Sequence, residues 1–253
     1  MSDFQLLSGK VCVITGAGKG IGRETALLFA RHGARLALAS RTEEDLQILE
    51  DQLGLPPEDV LFLAGDVSEP AFVERMMQDI DQHFGRIDVL INNAGIRFRK
   101  AFLEITLEEW NRVQQVNAGS VFLLCQAAGR VMLAQGSGKI VNMASVVGTL
   151  GLPELVGYAA SKGAIISLTK ALALEWAEAG INVNAIAPGF CETSFTEAFK
   201  KKEALYQFTL DRTPMKRWGS GEEVANACLY MASTLSDYVT GEILNVDGGW
   251  SAW

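Results

Sequence analysis

Ser145, Tyr158 and Lys162, side chains able to hold or move a proton, stand in the segment SVVGTLGLPELVGYAASKGA, Ser145 to Ala164. Tyr158 and Lys162 are spaced i and i+4, so a helix puts them on one face. A free phenol ionises near pH 10, too high for a base near neutrality. An ammonium beside it favours the phenolate. A tyrosine tuned in this way takes a proton from an alcohol, or as phenol gives one to a nascent alkoxide. Ser145 closes the apolar run GKIVNMAS, where its hydroxyl can hold the oxygen of the reacting group. Each residue alone has a bland alternative: an interfacial aromatic, a solvated lysine, a cap at a strand end. What precedes them in the chain decides between the readings.

The segment TGAGKGIG, Thr15 to Gly22, joins an apolar run to an amphipathic one. Backbone approaches a pyrophosphate closely only where side chains are missing, and a helix start adds free N–H groups and a positive dipole. The spacing is GxxxGxG through Gly16, Gly20 and Gly22, with Gly18 as an additional glycine and Ile21 between the last two. Tight packing or another phosphate ligand would use the same turn. The next apolar run ends in Ser40-Arg41, and Lys19 lies inside the glycine turn. A hydroxyl, a guanidinium and an ammonium at one place favour a phosphate monoester, hence NADP over NAD. The alternative is two solvated surface cations. Asp66, followed by Val67, ends a third run. Its carboxylate can accept from an adenine amino group, or simply cap its own loop.

These residues need a scaffold, and the rest of the chain supplies one. Short apolar runs alternate with longer amphipathic stretches from KVCVIT to EILNVDGG. The alternation predicts an α/β fold, a single doubly wound Rossmann-type domain whose parallel sheet is covered by helices on both faces. Helices are expected over GIGRETALLFARHG, TEEDLQILEDQLG, EPAFVERMMQDIDQHFG, TLEEWNRVQQVNAGSVFLLCQAAGRVMLAQ, GYAASKGAIISLTKALALEWAEAG and GEEVANACLYMAS. The stretch at about 190–215, with its aromatics and charges, reads as a substrate lid rather than a core element.

Composition narrows the partners. The 253 residues carry a formal net charge of −8, which argues against nucleic acid. No uninterrupted apolar run reaches the length of a membrane span, and MSDFQLLSGK has no basic region followed by an apolar one, so a signal peptide is not expected. Four dispersed cysteines suit free thiols in a reducing cytoplasm. With two histidines and no Cys/His cluster, a catalytic metal is not expected.

TGAGKGIG, NNAG (Asn92 to Gly95), Ser145, YAASK (Tyr158 to Lys162) and Pro188-Gly189, in that order, resemble the short-chain dehydrogenases/reductases over about Lys10 to Gly249. The resemblance implies a sheet of about seven strands and a homotetramer packed through the helices near 105–135 and 157–179. It implies hydride transfer to or from a nicotinamide, with Tyr158 as acid/base and Lys162 tuning it. Ser145 would orient the substrate, and Asn117 would hold a water in a proton relay. Asn93, Ala94 and Gly95 would line the ribose side, and Pro188 and Gly189 would leave room for the nicotinamide. Thr193 matches the position that meets the carboxamide or phosphate.

The substrate is less sharply marked. Arg97, Arg99 and Lys100 follow the fourth strand, and arginine four after Gly95 resembles gluconate 5-dehydrogenase-like members. Arg99 is therefore expected to hold a sugar-acid carboxylate, with Phe190 also at the substrate. SVVGTLG and PGFCET resemble 3-oxoacyl-carrier-protein reductases, which leaves acyl thioesters or bulky ketones as the alternative. A relative without catalysis, binding NADP as a sensor, would be expected to lack one of the four catalytic residues, and all four are present.

Overall fold

Val11 to Thr15 are all buried, and alternate side chains of this strand feed two different cores. Val11 and Val13 face one layer, Cys12 and Ile14 the other. A strand apolar on both faces must be covered on both faces, which is what a central parallel strand requires. The computed structural model describes residues 5–192 and 203–252.

The strands are β1 (Val11–Thr15), β2 (Arg35–Ser40), β3 (Val60–Ala64), β4 (Val89–Asn92), β5 (Gly138–Met143), β6 (Ile181–Pro188) and β7 (Ile243–Val246). They form one sheet in the order β3-β2-β1-β4-β5-β6-β7, with every pairing parallel. The strand order reverses between β1 and β4. Ligands of doubly wound sheets bind outside the carboxyl ends of the strands at such a switch point.

Helices α1 (Gly20–Arg31), α2 (Glu43–Leu53), α3 (Pro70–Phe84), α4 (Leu107–Gln114), α5 (Ser120–Gln135), α6 (Val156–Trp176), α7 (Glu203–Arg212) and α8 (Gly221–Ala232) complete the described elements. α1, α2 and α8 pack on one face of the sheet, around Phe29, Leu49 and Val224. α3, α5 and α6 pack on the other, around Met76, Leu124 and Ile165. Capping boxes start α4 (Thr106 with Glu109) and α8 (Ser220 with Glu223).

Three features differ from the sequence expectations. The helix expected over 106–135 carries a π-helical turn at Gln115–Gly119, so α4 and α5 are joined through one widened turn. The Ser120 hydroxyl donates to the Val116 carbonyl at 2.6 Å and satisfies part of the disturbed ladder. Second, the continuous helix Leu107–Gln135 contains an 18-residue stretch long and apolar enough to cross a membrane by length and composition, half of it buried inside the fold. Third, the described part of the 190–215 segment is mostly exposed or half-buried but anchored at a few buried points. Thr209 and Thr213 are buried, and the buried indole of Trp218 donates to the Thr209 hydroxyl at 2.8 Å. Phe190 stacks on Trp218 and lies against Trp250. A parallel bridge of Cys191–Glu192 with Gly219–Ser220 closes the base of this segment.

Candidate active site

The carboxyl ends of β1 and β4 are stapled together. The Asn93 side-chain amide donates to the carbonyls of Thr15 (3.0 Å) and Gly16 (3.1 Å). The Thr15 hydroxyl in turn accepts from the backbone N–H groups of Asn93 and Ala94 at 3.1 and 3.2 Å. Thr15 is fully buried and therefore positions the turn rather than touching a ligand. Gly16 and Gly20 adopt positive φ of 64° and 55°, which other residues resist. At Gly18 an added Cβ would lie 2.7 Å from the Asp45 Cβ and 2.9 Å from the Ser40 hydroxyl. Gly22 meets the Gly16 carbonyl and the Asn93 amide just as closely. These two glycines serve packing under the turn, while Gly16, Gly20 and Ile21 face the cleft above it. The Lys19 side chain makes no capping hydrogen bond to α1. The helix start thus opens toward the cleft as an anion site.

The cleft has a volume of about 590 Å³ and runs along the strand ends. Ser40, Arg41 and Lys19 line one end, as the phosphate-monoester reading requires. The structure adds Asp45, whose carboxylate pairs with the Lys19 ammonium at 3.0 Å. Asp66 and Val67 line the same wall. One oxygen of Asp66 accepts from the Ser68 N–H and hydroxyl, and the other from Arg112 at 2.7 Å. Burial pushes this carboxyl up, but the hydrogen bonds from Ser68 and Arg112 outweigh it and leave it below the ordinary range. The loop-capping reading of Asp66 is therefore realised, alongside its place in the cleft wall. Asn93, Ala94 and Gly95 line the middle, and Pro188 and Gly189 the far side.

Ser145, Tyr158 and Lys162 line the same cleft. Ser145 lies close enough to the Tyr158 phenol to favour its ionised form. Lys162 is buried, its ammonium donates to the Met143 carbonyl at 2.6 Å, and it lies 5.6 Å from the centre of the Tyr158 ring. Burial lowers its pKa to about 8. Burial also raises the Tyr158 phenol above its ordinary value, opposed by the Arg97 guanidinium and by the Ser145 hydroxyl. The Arg97 guanidinium thus acts on the phenol as well, in addition to the Lys162 ammonium that the sequence pointed to.

Asn117 sits in the π-turn, fully buried behind the cleft. Its side chain accepts from the Ile96 N–H at 2.8 Å and donates to the Ile96 carbonyl at 3.0 Å and to the Ser161 hydroxyl at 2.9 Å. It therefore ties the loop after β4 to the helix that carries Tyr158 and Lys162.

Arg99 requires a correction. Its guanidinium pairs with Glu154 at 3.2 Å and donates to the Pro153 carbonyl at 3.1 Å, outside the cleft wall. Lys100 pairs with Glu109 at 2.8 Å. The arginine of this loop that lines the cleft is Arg97. Phe190 is likewise part of the aromatic base with Trp218 and Trp250 rather than of the cleft wall. Thr193 lies outside the described residues. Cleft residues not singled out from sequence include Asp45, Ile96 and Cys191. Among the described residues no His/Cys/Asp/Glu group could hold a metal ion.

A glycine turn at the switch point, a cationic end and a proton-transfer group in one cleft define a dinucleotide-dependent oxidoreductase of Rossmann type. The sequence model of a family described as enoyl-(acyl carrier protein) reductase matches residues 16–251. The 3-oxoacyl-[acyl-carrier-protein] reductase FabG of Thermotoga maritima is 42% identical over 244 residues, 96% of this chain and 98% of that protein. The gluconate 5-dehydrogenase of Gluconobacter oxydans is 37% identical over 250 residues, 98% of this chain and 96% of that protein. A gluconate 5-dehydrogenase from Burkholderia cenocepacia, solved with NADP and tartrate, superposes with a TM-score of 0.93 at 37% identity, covering 99% and 98% of the two chains. This chain belongs to the short-chain dehydrogenase/reductase family.

Proposed function

We propose that this protein is an NADP-dependent oxidoreductase that interconverts a secondary alcohol and a ketone on a sugar acid or polyol. One observation carries the reading: the glycine turn, the Ser40-Arg41-Lys19 end and the Ser145-Tyr158-Lys162 group all line a single cleft. Ser40, Arg41 and Lys19 would hold the 2′-phosphate, and the α1 N-terminus the pyrophosphate. The bound cofactor would supply the hydride acceptor or donor for the carbinol carbon. Ser145 donates to the substrate oxygen and fixes it beside Tyr158. The Tyr158 phenol exchanges the proton at that oxygen. Lys162, ionising at about pH 8, holds the positive charge that the phenolate needs and can pass its own proton on near neutrality.

The sugar-acid choice draws support from the gluconate dehydrogenases among the relatives. A second reading, reduction of a 3-oxoacyl thioester, draws support from the 42% identity to the Thermotoga enzyme. Initial rates with NADP(H) and NAD(H) on gluconate-type acids, polyols and 3-oxoacyl thioesters decide between them. Turnover of acids or polyols, lost by a factor of about 10² to 10⁴ in Tyr158→Phe, is the expected result. Turnover of thioesters alone would overturn the substrate assignment, and full activity in Tyr158→Phe would overturn the mechanism.

Exposed apolar side chains on α5 and α6, Phe122, Leu133 and Leu174 among them, support a homotetramer packed through these helices. All four cysteines are free and buried, in keeping with a cytoplasmic setting.

A further inference from the structure

The loop that leaves β4 carries three cations in four residues, and the fold treats them differently. Ile96 is clamped on both its N–H and its carbonyl by the Asn117 side chain. Lys100 is fixed through its N–H to the Glu154 carbonyl at 3.0 Å and through its ammonium to Glu109. Arg99 is turned onto Glu154 and Pro153. Glu154 holds this second clamp at a positive φ of 65°, a strained conformation for a side chain of its kind. Between the two clamps lies Arg97, half-buried in the cleft wall with Ser145, Tyr158 and Lys162. It is close enough to the Tyr158 phenol for the two to interact electrostatically. Strain kept at such a place is a common mark of a positioned functional group.

Proton transfer by tyrosine does not require a guanidinium in the substrate half of the cleft. An anionic substrate gains from one, because a planar fork of N–H donors matches a carboxylate bidentately. We propose that Arg97 binds a substrate carboxylate, a few carbons from the carbinol that sits at Ser145 and Tyr158. The inference rests on the reading of this cleft as the site of carbinol oxidation, and it deepens that reading by naming the group that selects hydroxy acids over neutral polyols. It also assigns the clamps a purpose: Asn117 and Glu154 hold the loop so that Arg97 alone among its cations faces the substrate.

The test compares gluconate with sorbitol, a neutral polyol of the same carbon count, in wild type and in Arg97→Gln, Arg97→Lys and Arg99→Gln. The readout is the ratio of kcat/KM for acid over polyol, with KM and kcat separated. Arg97→Gln should lower the ratio about 10- to 100-fold, mainly through KM, as expected for one lost charge-assisted pair. Arg97→Lys should fall between, because a point charge keeps attraction and loses the fork. Arg99→Gln should change the ratio less than either. Calorimetric titration with tartrate in the presence of NADP gives a second readout independent of turnover, with the same ranking of dissociation constants. A ratio unmoved in Arg97→Gln, or a larger loss in Arg99→Gln, overturns the assignment. Should neither sugar acid nor polyol react, the substrate class proposed above fails by itself. Tartrate affinity then still decides for Arg97: at least tenfold weaker binding in Arg97→Gln upholds it, and equal or absent wild-type binding sinks it.

Discussion

Gly22 offers a direct test of how tightly the cofactor turn is built. A Cβ at this position would overlap the Gly16 carbonyl and lie 2.5 Å from the Asn93 side-chain nitrogen. Carbon and its neighbours rest at about 3.5–4.0 Å, so Gly22→Ala forces α1 away from the ends of β1 and β4 by about 1 Å. That shift breaks the two hydrogen bonds from Asn93 to Thr15 and Gly16, each worth about 1 kcal/mol. Overpacking adds roughly 1–3 kcal/mol. Alanine returns about 1 kcal/mol as the better helix former. The net loss is roughly 2–4 kcal/mol, or about 5–15 °C in Tm for a chain of this size. Calorimetric melting of the purified protein, with and without NADPH, measures it. NADPH at a hundredfold excess over its dissociation constant stabilises wild type by about 2.7 kcal/mol, and in Gly22→Ala this increment should shrink because the displaced turn presents its N–H groups poorly. Gly151→Ala is the control, since nothing stands within 4 Å of its new Cβ. It should change stability by no more than about 0.5 kcal/mol. A Gly22→Ala protein that melts within a degree of wild type and keeps the full NADPH increment would refute the reasoning.

Lys162→Met should abolish turnover yet raise stability at neutral pH. Burial lowers the lysine's pKa from 10.5 to about 8, so at pH 7 the folded state holds a charge at a cost of about 3 kcal/mol. Loss of the bond to the Met143 carbonyl offsets part of the gain. The cost is fully present below pH 8 and fades between pH 8 and 10.5, as the lysine becomes neutral in the unfolded chain too. The difference in Tm between variant and wild type should therefore shrink across that window, and a constant difference would contradict it. Asp45→Asn releases Lys19 and removes a carboxylate from the phosphate end of the cleft. Fluorescence titration should show NADPH bound about 2- to 5-fold more tightly and NADH little changed, whereas equal tightening of both would place Asp45 elsewhere in the recognition. Leu174, 86% exposed on α6, and Phe122, 52% exposed on α5, should tolerate Glu in the folded subunit. Light scattering of the double variant should report particles smaller than wild type; an unchanged mass would remove these faces from the interface.

The parts of the fold that could be read in sequence are those where one local pattern has one physical meaning. Ile181–Pro188 is a strand over the full run INVNAIAP, because its β-branched and alanine positions bury in the sheet and proline can stand at its end. The glycine turn was legible because no other residue type allows its close approaches. The π-turn was not. One extra residue in a long apolar helix leaves the composition unchanged and shifts the register only downstream, yet it is where Asn117 leaves the helical ladder to reach Ile96. The packed base of the 190–215 segment was also hidden. Its aromatics look like surface until Trp218 and Trp250 come in from later in the chain.

The arginine loop shows most clearly where local reading stops. RFRK follows β4 without helical or strand periodicity, so nothing in the run itself says which guanidinium turns inward. The choice is made by residues far along the chain: Asn117 in the π-turn fixes Ile96, and Glu154 ahead of α6 captures Arg99. An i+4 match to relatives pointed to Arg99, but a rule carried by spacing assumes that the partners which orient the loop are also carried over. Here a glutamate in a strained conformation competes for Arg99, and the inward place falls to Arg97. The same logic governs the proton chemistry. Tyr158 and Lys162 are paired by helix geometry alone and could be found four apart in sequence, whereas a second cation near the phenol, Arg97, arrives from the loop after β4. On the proposed reading, specificity in this site is set by long-range contacts acting on short-range chemistry, which is why the shared fold and the four catalytic residues do not by themselves name the substrate.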